Sequence, residues 1–260
     1  MGKSIGVISI KGGVGKTTSV CNLANVLSNV YKQKVLVVDA NFSAPNLRIY
    51  LGLEEPEVGI HEVLRGNAEA YEAIYETPNG FHVLPAKLNN NKPTKVSDLK
   101  EHIDLLKTDY DFILIDSSPN VNAEIVAAAK ASDSLVMIVS PDYASISCIL
   151  KAIFISKENG VKIDGIILNK VVNSKHEVKS EEVEEITGLK VIGVVPYHKD
   201  VHESNLKRVC LPAKGRKSYN KEYSEIAKYM VLKENPSTKL KFGAGTKIQY
   251  KNRKKLVGGK

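Results

Sequence analysis

Residues 11–18 read Lys-Gly-Gly-Val-Gly-Lys-Thr-Thr, a set of residue types suited to holding phosphate. Glycines let backbone N–H groups close in on phosphate oxygens. Lysines bring positive charge, and a hydroxyl beside the second lysine can ligate Mg²⁺. The stretch follows the apolar run Ile5-Gly6-Val7-Ile8-Ser9-Ile10 and opens a helical one, in which Val20, Leu23, Ala24, Leu27 and Tyr31 share a stripe. It therefore occupies a strand–loop–helix corner, where the helix N-terminus adds free N–H groups and a positive dipole end. The candidate phosphate contacts are Gly12, Gly13, Val14, Gly15, Lys16, Thr17 and Thr18, with Lys16 reaching the β and γ phosphates and Thr17 on the metal. One departure from the general P-loop pattern is informative: the place for its first glycine holds Ile10, and a second lysine, Lys11, follows.

Two aspartates close apolar runs elsewhere. Asp39 ends Val37-Val38-Asp39, and Asp116 ends Phe112-Ile113-Leu114-Ile115-Asp116 ahead of Ser117-Ser118-Pro119. A carboxylate at the end of a parallel strand beside a P-loop can hold Mg²⁺ directly or through water. Either aspartate alone reads as a cap or turn residue; the pair joined to the loop reads as a metal site. His198 and His202 have chelating spacing near Asp200 and Glu203, but no Glu-x-x-His frame accompanies them, and they are read as residues of a surface helix.

Strand signals fall at 4–10, 34–39, 81–85, 111–116, 134–140, 163–169 and 190–195. Unbroken apolar runs among them suit parallel strands covered on both faces. Helical patterns fall at 17–31, 45–51, 60–75, 95–107, 122–131, 144–158, 178–187, 200–209 and 218–232. The alternation predicts an α/β domain with a doubly wound, mostly parallel sheet, whose ligands bind at the carboxyl ends of the strands. The length of 260 residues suits a single large domain over residues 1–232.

The net charge of +8 is uneven: residues 233–260 hold nine Lys/Arg and one acid, leaving 28 of each sign in residues 1–232. This segment, interrupted by Pro236 and four glycines, reads as a flexible basic tail. It is a solubilising extension, a contact for DNA with Tyr250 as a stacking residue, or a contact for anionic lipid headgroups. Ile248, Leu256 and Val257 are too few for a good interfacial helix. Three distant cysteines, Cys21, Cys148 and Cys210, with no C-x-x-C pair, argue for a reducing compartment and against a structural zinc. With no leader and no long apolar run, the expectation is a cytoplasmic protein, at most peripheral at a membrane or on the nucleoid.

Four blocks together resemble the ParA/MinD family of ATPases with a deviant Walker A motif: Lys11–Thr18, Asp39–Leu53, Asp116–Pro119, and Leu168-Asn169-Lys170 followed by Gly193-Val194-Val195-Pro196. The look is nearest to archaeal MinD-like proteins. The resemblance implies an ATP- and Mg²⁺-binding switch that forms a homodimer when ATP-bound and answers to a protein partner or activator. It also implies roles. Lys11 would reach the phosphates of the second subunit. Thr18 would bind the α phosphate. Asp39 would lie near the metal and the attacking water, and Asp116 would be the Walker B acid. Asn169, Pro196 and Tyr197 would line the adenine pocket, and Asn46 the dimer seam. Bacterial MinD proteins carry a second acid where this chain has Asn41, which cannot act as a base. Either Asp39 orients the water or turnover is slow and needs a partner. The implied task is spatial organisation: division-site placement, positioning of cellular machinery, or partition. The alternative is a nucleotide-dependent scaffold with negligible turnover.

Overall fold

The apolar runs become strands because both faces are covered. In the computed structural model, which describes residues 1–88, 94–210 and 218–234, every residue of Val35–Ala40, Phe112–Ser117 and Ser134–Val139 is buried. In chain order the elements are β1 (Lys3–Ile8), α1 (Lys16–Asn29), β2 (Val35–Ala40), α2 (Leu47–Tyr50), α3 (Ile60–Leu64), β3 (Tyr75–Glu76), β4 (His82–Leu84) and α4 (Leu99–Leu106). There follow β5 (Phe112–Ser117), α5 (Ala123–Lys130), β6 (Ser134–Val139), α6 (Tyr143–Glu158), β7 (Lys162–Val171), α7 (Ser180–Thr187), β8 (Val191–Pro196), α8 (Lys199–Leu206) and α9 (Ser218–Glu234). The tail beyond Glu234, with the lysines, Tyr250 and aliphatics on which its readings rest, lies outside the described residues.

The eight strands form one sheet in the order β3-β4-β2-β5-β1-β6-β7-β8, parallel except for the β3–β4 pair. The doubly wound sheet expected from the alternation is thus present. Successive side chains leave opposite faces. Val35 and Val37 pack with Val20, Leu23 and Leu27 of α1 and with Tyr223 and Ile226 of α9. Leu36 and Val38 pack on the other side with Leu99 and Ile103 of α4 and Ala127 and Ala128 of α5. Ile8, Met137 and Ile166 pack with Ile149 of α6 and Val183 of α7. Each large aliphatic side chain among them, nearly all fully buried, contributes about 1.5–3 kcal/mol.

The structure departs from the sequence reading on the β4 side. The helical pattern over 60–75 is not one helix: α3 stops at Leu64, Gly66 takes a left-handed φ of 72°, and a short 3₁₀ turn over Ala70–Ala73 leads into β3. Gly66 ends the helix cheaply, and Tyr75 and Glu76 then pair antiparallel with Val83 and His82. A two-residue edge strand carries no periodicity to detect.

The topology places the site. β1 sits between β5 and β6, although the next strand in sequence, β2, lies beyond β5. The chain reverses its direction of winding there, and such a switch point opens a crevice at the carboxyl ends of the strands. No described helix is long and apolar enough to cross a membrane.

At the opposite edge the amino ends are tied by charge. Asp133 accepts the Ser4 N–H and hydroxyl at 2.9 and 3.0 Å and Lys107 Nζ at 2.8 Å. Burial opposes its charge, but Lys107 and Ser4 outweigh burial and hold the Asp133 carboxyl below its usual range. A depressed folded-state pKa gives stability that is present above the unfolded value, about 3.9, and lost as pH falls through the folded one. Asp133→Asn is therefore expected to lower the Tm at pH 7 and to lose much of that deficit near pH 3. Thermal melts at the two pH values check this, and an equal deficit at both would contradict it.

Candidate nucleotide site

Residues 9–15 link β1 to α1. Gly13 and Gly15 hold φ of +76° and +90°, where a side chain is strained. At Gly15 space is closed as well, since a Cβ would meet Asn169 Nδ2 at 2.4 Å. Gly15 is the N-cap of α1, and no side chain caps that helix. Its first-turn N–H groups are left to a ligand, at the positive end of a 14-residue helix.

The loop is braced through its carbonyls. Asn169 Nδ2 donates to Val14 O at 2.8 Å and Lys170 Nζ to Gly13 O at 2.6 Å. Because C=O and N–H of a trans peptide point opposite ways, the N–H groups of Val14 and Gly15 are turned away from these two side chains. Lys170 itself has a φ of 62°, a conformation costing a non-glycine residue about 1–3 kcal/mol. The resemblance assigned Asn169 to the base; here its amide also holds the loop.

Beneath the loop lie two carboxylates. The β2–β5 register sets Asp39 opposite Asp116, and both are fully buried. Lys16 Nζ donates to Asp116 Oδ1 at 3.0 Å, and the Thr17 hydroxyl to Asp116 Oδ2 at 2.6 Å. Thr17 Oγ1 also lies 3.3 Å from Asn46 Oδ1. Asp39 is engaged differently: Oδ1 accepts the Asn41 N–H at 3.1 Å and Oδ2 the Leu47 N–H at 3.2 Å. Burial, and then the charge of Asp116, push the Asp39 carboxyl up to about 8.

A cavity of about 360 Å³ opens over these groups. Every glycine of the loop lines it, as do Lys11, Val14, Lys16, Thr17, Thr18, Asn169, Pro196 and Tyr197. Asn41 and Asn46 also line it. Asp39 and Asp116 lie below the wall, Asp116 reaching it through Lys16 and Thr17 and Asp39 only through the backbone of residues 41–47. A divalent cation suits the donor set. Thr17 and Asp116 offer adjacent oxygens, and the neighbouring Asp39 carboxyl, raised by burial and then by the charge of Asp116, is one a cation would help to ionise. No group of three or more His, Cys, Asp or Glu among the described residues could cage a metal, so Mg²⁺ would draw its other ligands from water and phosphate oxygens, as it ordinarily does.

Beside Lys11, the rim holds residues to which the sequence reading gave no role here. Lys11 Nζ donates to Asp142 Oδ1 at 2.9 Å, with the two side chains 41% and 43% exposed. Asp142 also caps α6, accepting the Ser145 N–H and hydroxyl, each at 2.8 Å. Burial opposes its charge, but Lys11 and Ser145 hold its carboxyl below the usual range. His198 and His202 lie on a surface helix, as expected, and also line the cavity; His198 Nδ1 caps α8 by accepting the Asp200 N–H at 3.2 Å. Tyr50 and Asn205 complete that wall. Lys170 was legible as the neighbour of Asn169; Asp142 carried only an ordinary N-cap pattern.

Comparison with known proteins agrees with this geometry. Residues 5–209 match the CobQ/CobB/MinD/ParA nucleotide binding domain. An uncharacterised ATP-binding protein of Methanocaldococcus jannaschii is 38% identical over 202 residues, 75% of each chain. The cell division ATPase MinD of Pyrococcus furiosus superposes with a TM-score of 0.83 at 28% identity, over 89% of this chain and 99% of that one. Septum site-determining MinD of Pyrococcus horikoshii, complexed with Mg-ADP, superposes with a TM-score of 0.85 at 26% identity, over 92% of this chain and 100% of that one. With its braced glycine loop, its paired aspartates and this match across most of its length, the chain belongs to the CobQ/CobB/MinD/ParA nucleotide-binding family.

Proposed function

We propose that the chain is a MinD/ParA-type ATPase, an ATP-dependent dimerisation switch that serves spatial organisation within the cell: division-site placement, positioning of machinery, or partition. One observation carries the reading. The two lysines of the loop point to different fates: Lys16 is buried on Asp116, whereas Lys11 sits half-exposed on the rim, held among the described residues by Asp142. A single active site needs the first. The exposure of the second supports a role toward a phosphate group brought by another copy.

In this reading the triphosphate rests on the N–H groups of residues 12–18. Lys16 exchanges Asp116 for β and γ phosphate oxygens, and Thr17 and Asp116 hold Mg²⁺, which neutralises phosphate charge. Asn169, Pro196 and Tyr197 contact adenine. Lys11 leaves Asp142 and meets charge developing on the partner's γ phosphate, as an arginine finger does. Asp39, bound to the Asn41 and Leu47 N–H groups, sets the loop that orients water. Hydrolysis separates the copies. The basic tail beyond Glu234 meets an anionic surface, DNA or lipid headgroups, and a protein partner sets the pace.

Asn41 on the cavity wall supports slow intrinsic turnover and is also what favours the scaffold reading, because its amide cannot take a proton. Single-turnover hydrolysis separates the two: slow but complete conversion supports the ATPase, and none supports the scaffold. A fast steady-state rate by the isolated protein would refute both accounts of Asn41.

Lys16→Ala is expected to weaken ATP and ADP binding alike, by about tenfold or more if one charge-assisted contact of 1.5–3 kcal/mol is lost. Lys11→Ala is expected to leave ADP affinity within about twofold and to impair turnover, because its target phosphate belongs to another subunit. Nucleotide titration with ATPase rates checks both, and normal turnover in Lys11→Ala would refute the cross-subunit role. Removal of residues 235–260 is expected to abolish retention on DNA or on anionic vesicles in co-sedimentation; undiminished salt-sensitive binding would assign that contact to the folded domain.

A further inference from the structure

We infer that Glu124 couples the loop after β5 to the loop after β2, as a positioning residue that passes the state of the γ-phosphate site from one to the other. The inference rests on the nucleotide-switch reading above.

Glu124 stands in the first turn of α5, where a carboxylate ordinarily complements free N–H groups. Here that task is already filled. Asn122 Oδ1 accepts the N–H groups of Glu124 and Ile125, each at 3.1 Å, and the Ser118 hydroxyl at 2.9 Å. Glu124 turns away from its own helix. Its Oε1 accepts the N–H of Ser43 at 2.8 Å, 81 residues distant in sequence. Glu124 is only 9% exposed, and its Oε2 is buried without a hydrogen-bond partner among the described residues.

A carboxylate accepts about four hydrogen bonds, and a buried acceptor left unmet is costly. Spared from capping, the carboxylate bridges to Ser43 instead, and its surroundings decide what that bridge transmits. Those surroundings are the two loops that flank the phosphate cradle. The loop after β2 is pinned at its ends, where Asp39 accepts the N–H groups of Asn41 and Leu47. Glu124 pins its middle at Ser43. This loop also presents Asn41 and Asn46 to the cavity. On the other side, Asn122 ties the first turn of α5 to Ser118, two residues after Asp116, which holds Lys16 and Thr17. A γ phosphate that draws Lys16 from Asp116 thus acts on the loop after β5, and Glu124 is the side chain through which that displacement meets Ser43. ADP, lacking that phosphate, does not exert it.

The test uses the full chain with Mg²⁺, measuring affinity for ADP and for a non-hydrolysable ATP analogue. Glu124→Ala is expected to weaken the analogue by about tenfold and ADP by less than twofold, a loss in scale with one hydrogen bond to a charged acceptor. Glu124→Gln keeps an acceptor oxygen for Ser43 and is expected to stay within twofold of wild type on both ligands. If the alanine variant does not fold, Glu124→Asp withdraws the carboxylate by one methylene and is expected to show the alanine pattern. Equal weakening of both ligands, unchanged discrimination in the alanine or aspartate variant, or a glutamine variant that behaves as alanine would overturn the coupling role while leaving the nucleotide site standing. Failure of the wild-type chain to bind either nucleotide would overturn both.

Discussion

The site is organised by two carboxylates that the sheet forces together. The parallel register of β2 and β5 leaves Asp39 and Asp116 side by side at full burial, where charge is poorly solvated and like charges repel strongly. A single ammonium, that of Lys16, reaches one of them. Backbone N–H groups alone serve the other, whose carboxyl is pushed up to about 8. Such an arrangement is poor as a stability device, since buried ion pairs seldom return their desolvation cost. It makes sense as a pair of carboxyls ready to receive a cation under a loop built for anions. A bound cation would let both ionise from one side while the uncapped start of α1 receives phosphate from the other.

Around this centre the molecule divides into parts that hold and parts that answer. α1 is fastened along its length between the sheet and α9, so the start of the helix does not drift. The loop after β2 is anchored by Phe42, which packs in the core, and the rest of the loops after β2 and β5 is tied through polar groups at Asn41, Ser43, Leu47 and Ser118. Polar contacts exchange partners at small cost, whereas packed apolar ones resist displacement. A molecule that reports the state of a bound ligand is well served by this division.

Much of this was legible in the chain. The glycine loop, the strand-end aspartates and the apolar runs are local signals, written within a few residues and tied to strong steric or burial rules. Seven of the eight strands follow from them. What was not legible is what depends on side chains distant in sequence. Nothing near Asp142 says that Lys11 will rest on it, and nothing near Glu124 points to Ser43. His198 and His202 do lie on a largely exposed helix, as their polar pattern says; what the pattern does not show is that this helix runs along the cavity. The misread stretch over 60–75 failed for another reason, since a single glycine turn outweighed a stripe that was otherwise helical.

The hold of Asn169 and Lys170 on the loop carbonyls bears on how fast a ligand is captured. A glycine-rich loop is the segment with most conformational freedom to lose, and an unrestrained one would have to be frozen at the moment of binding. Here two side chains from β7 already fix its peptide planes, and the strain at Lys170 is met by the folding energy of the sheet. The ordering entropy is charged to folding rather than to association, so phosphate meets a preorganised receptor.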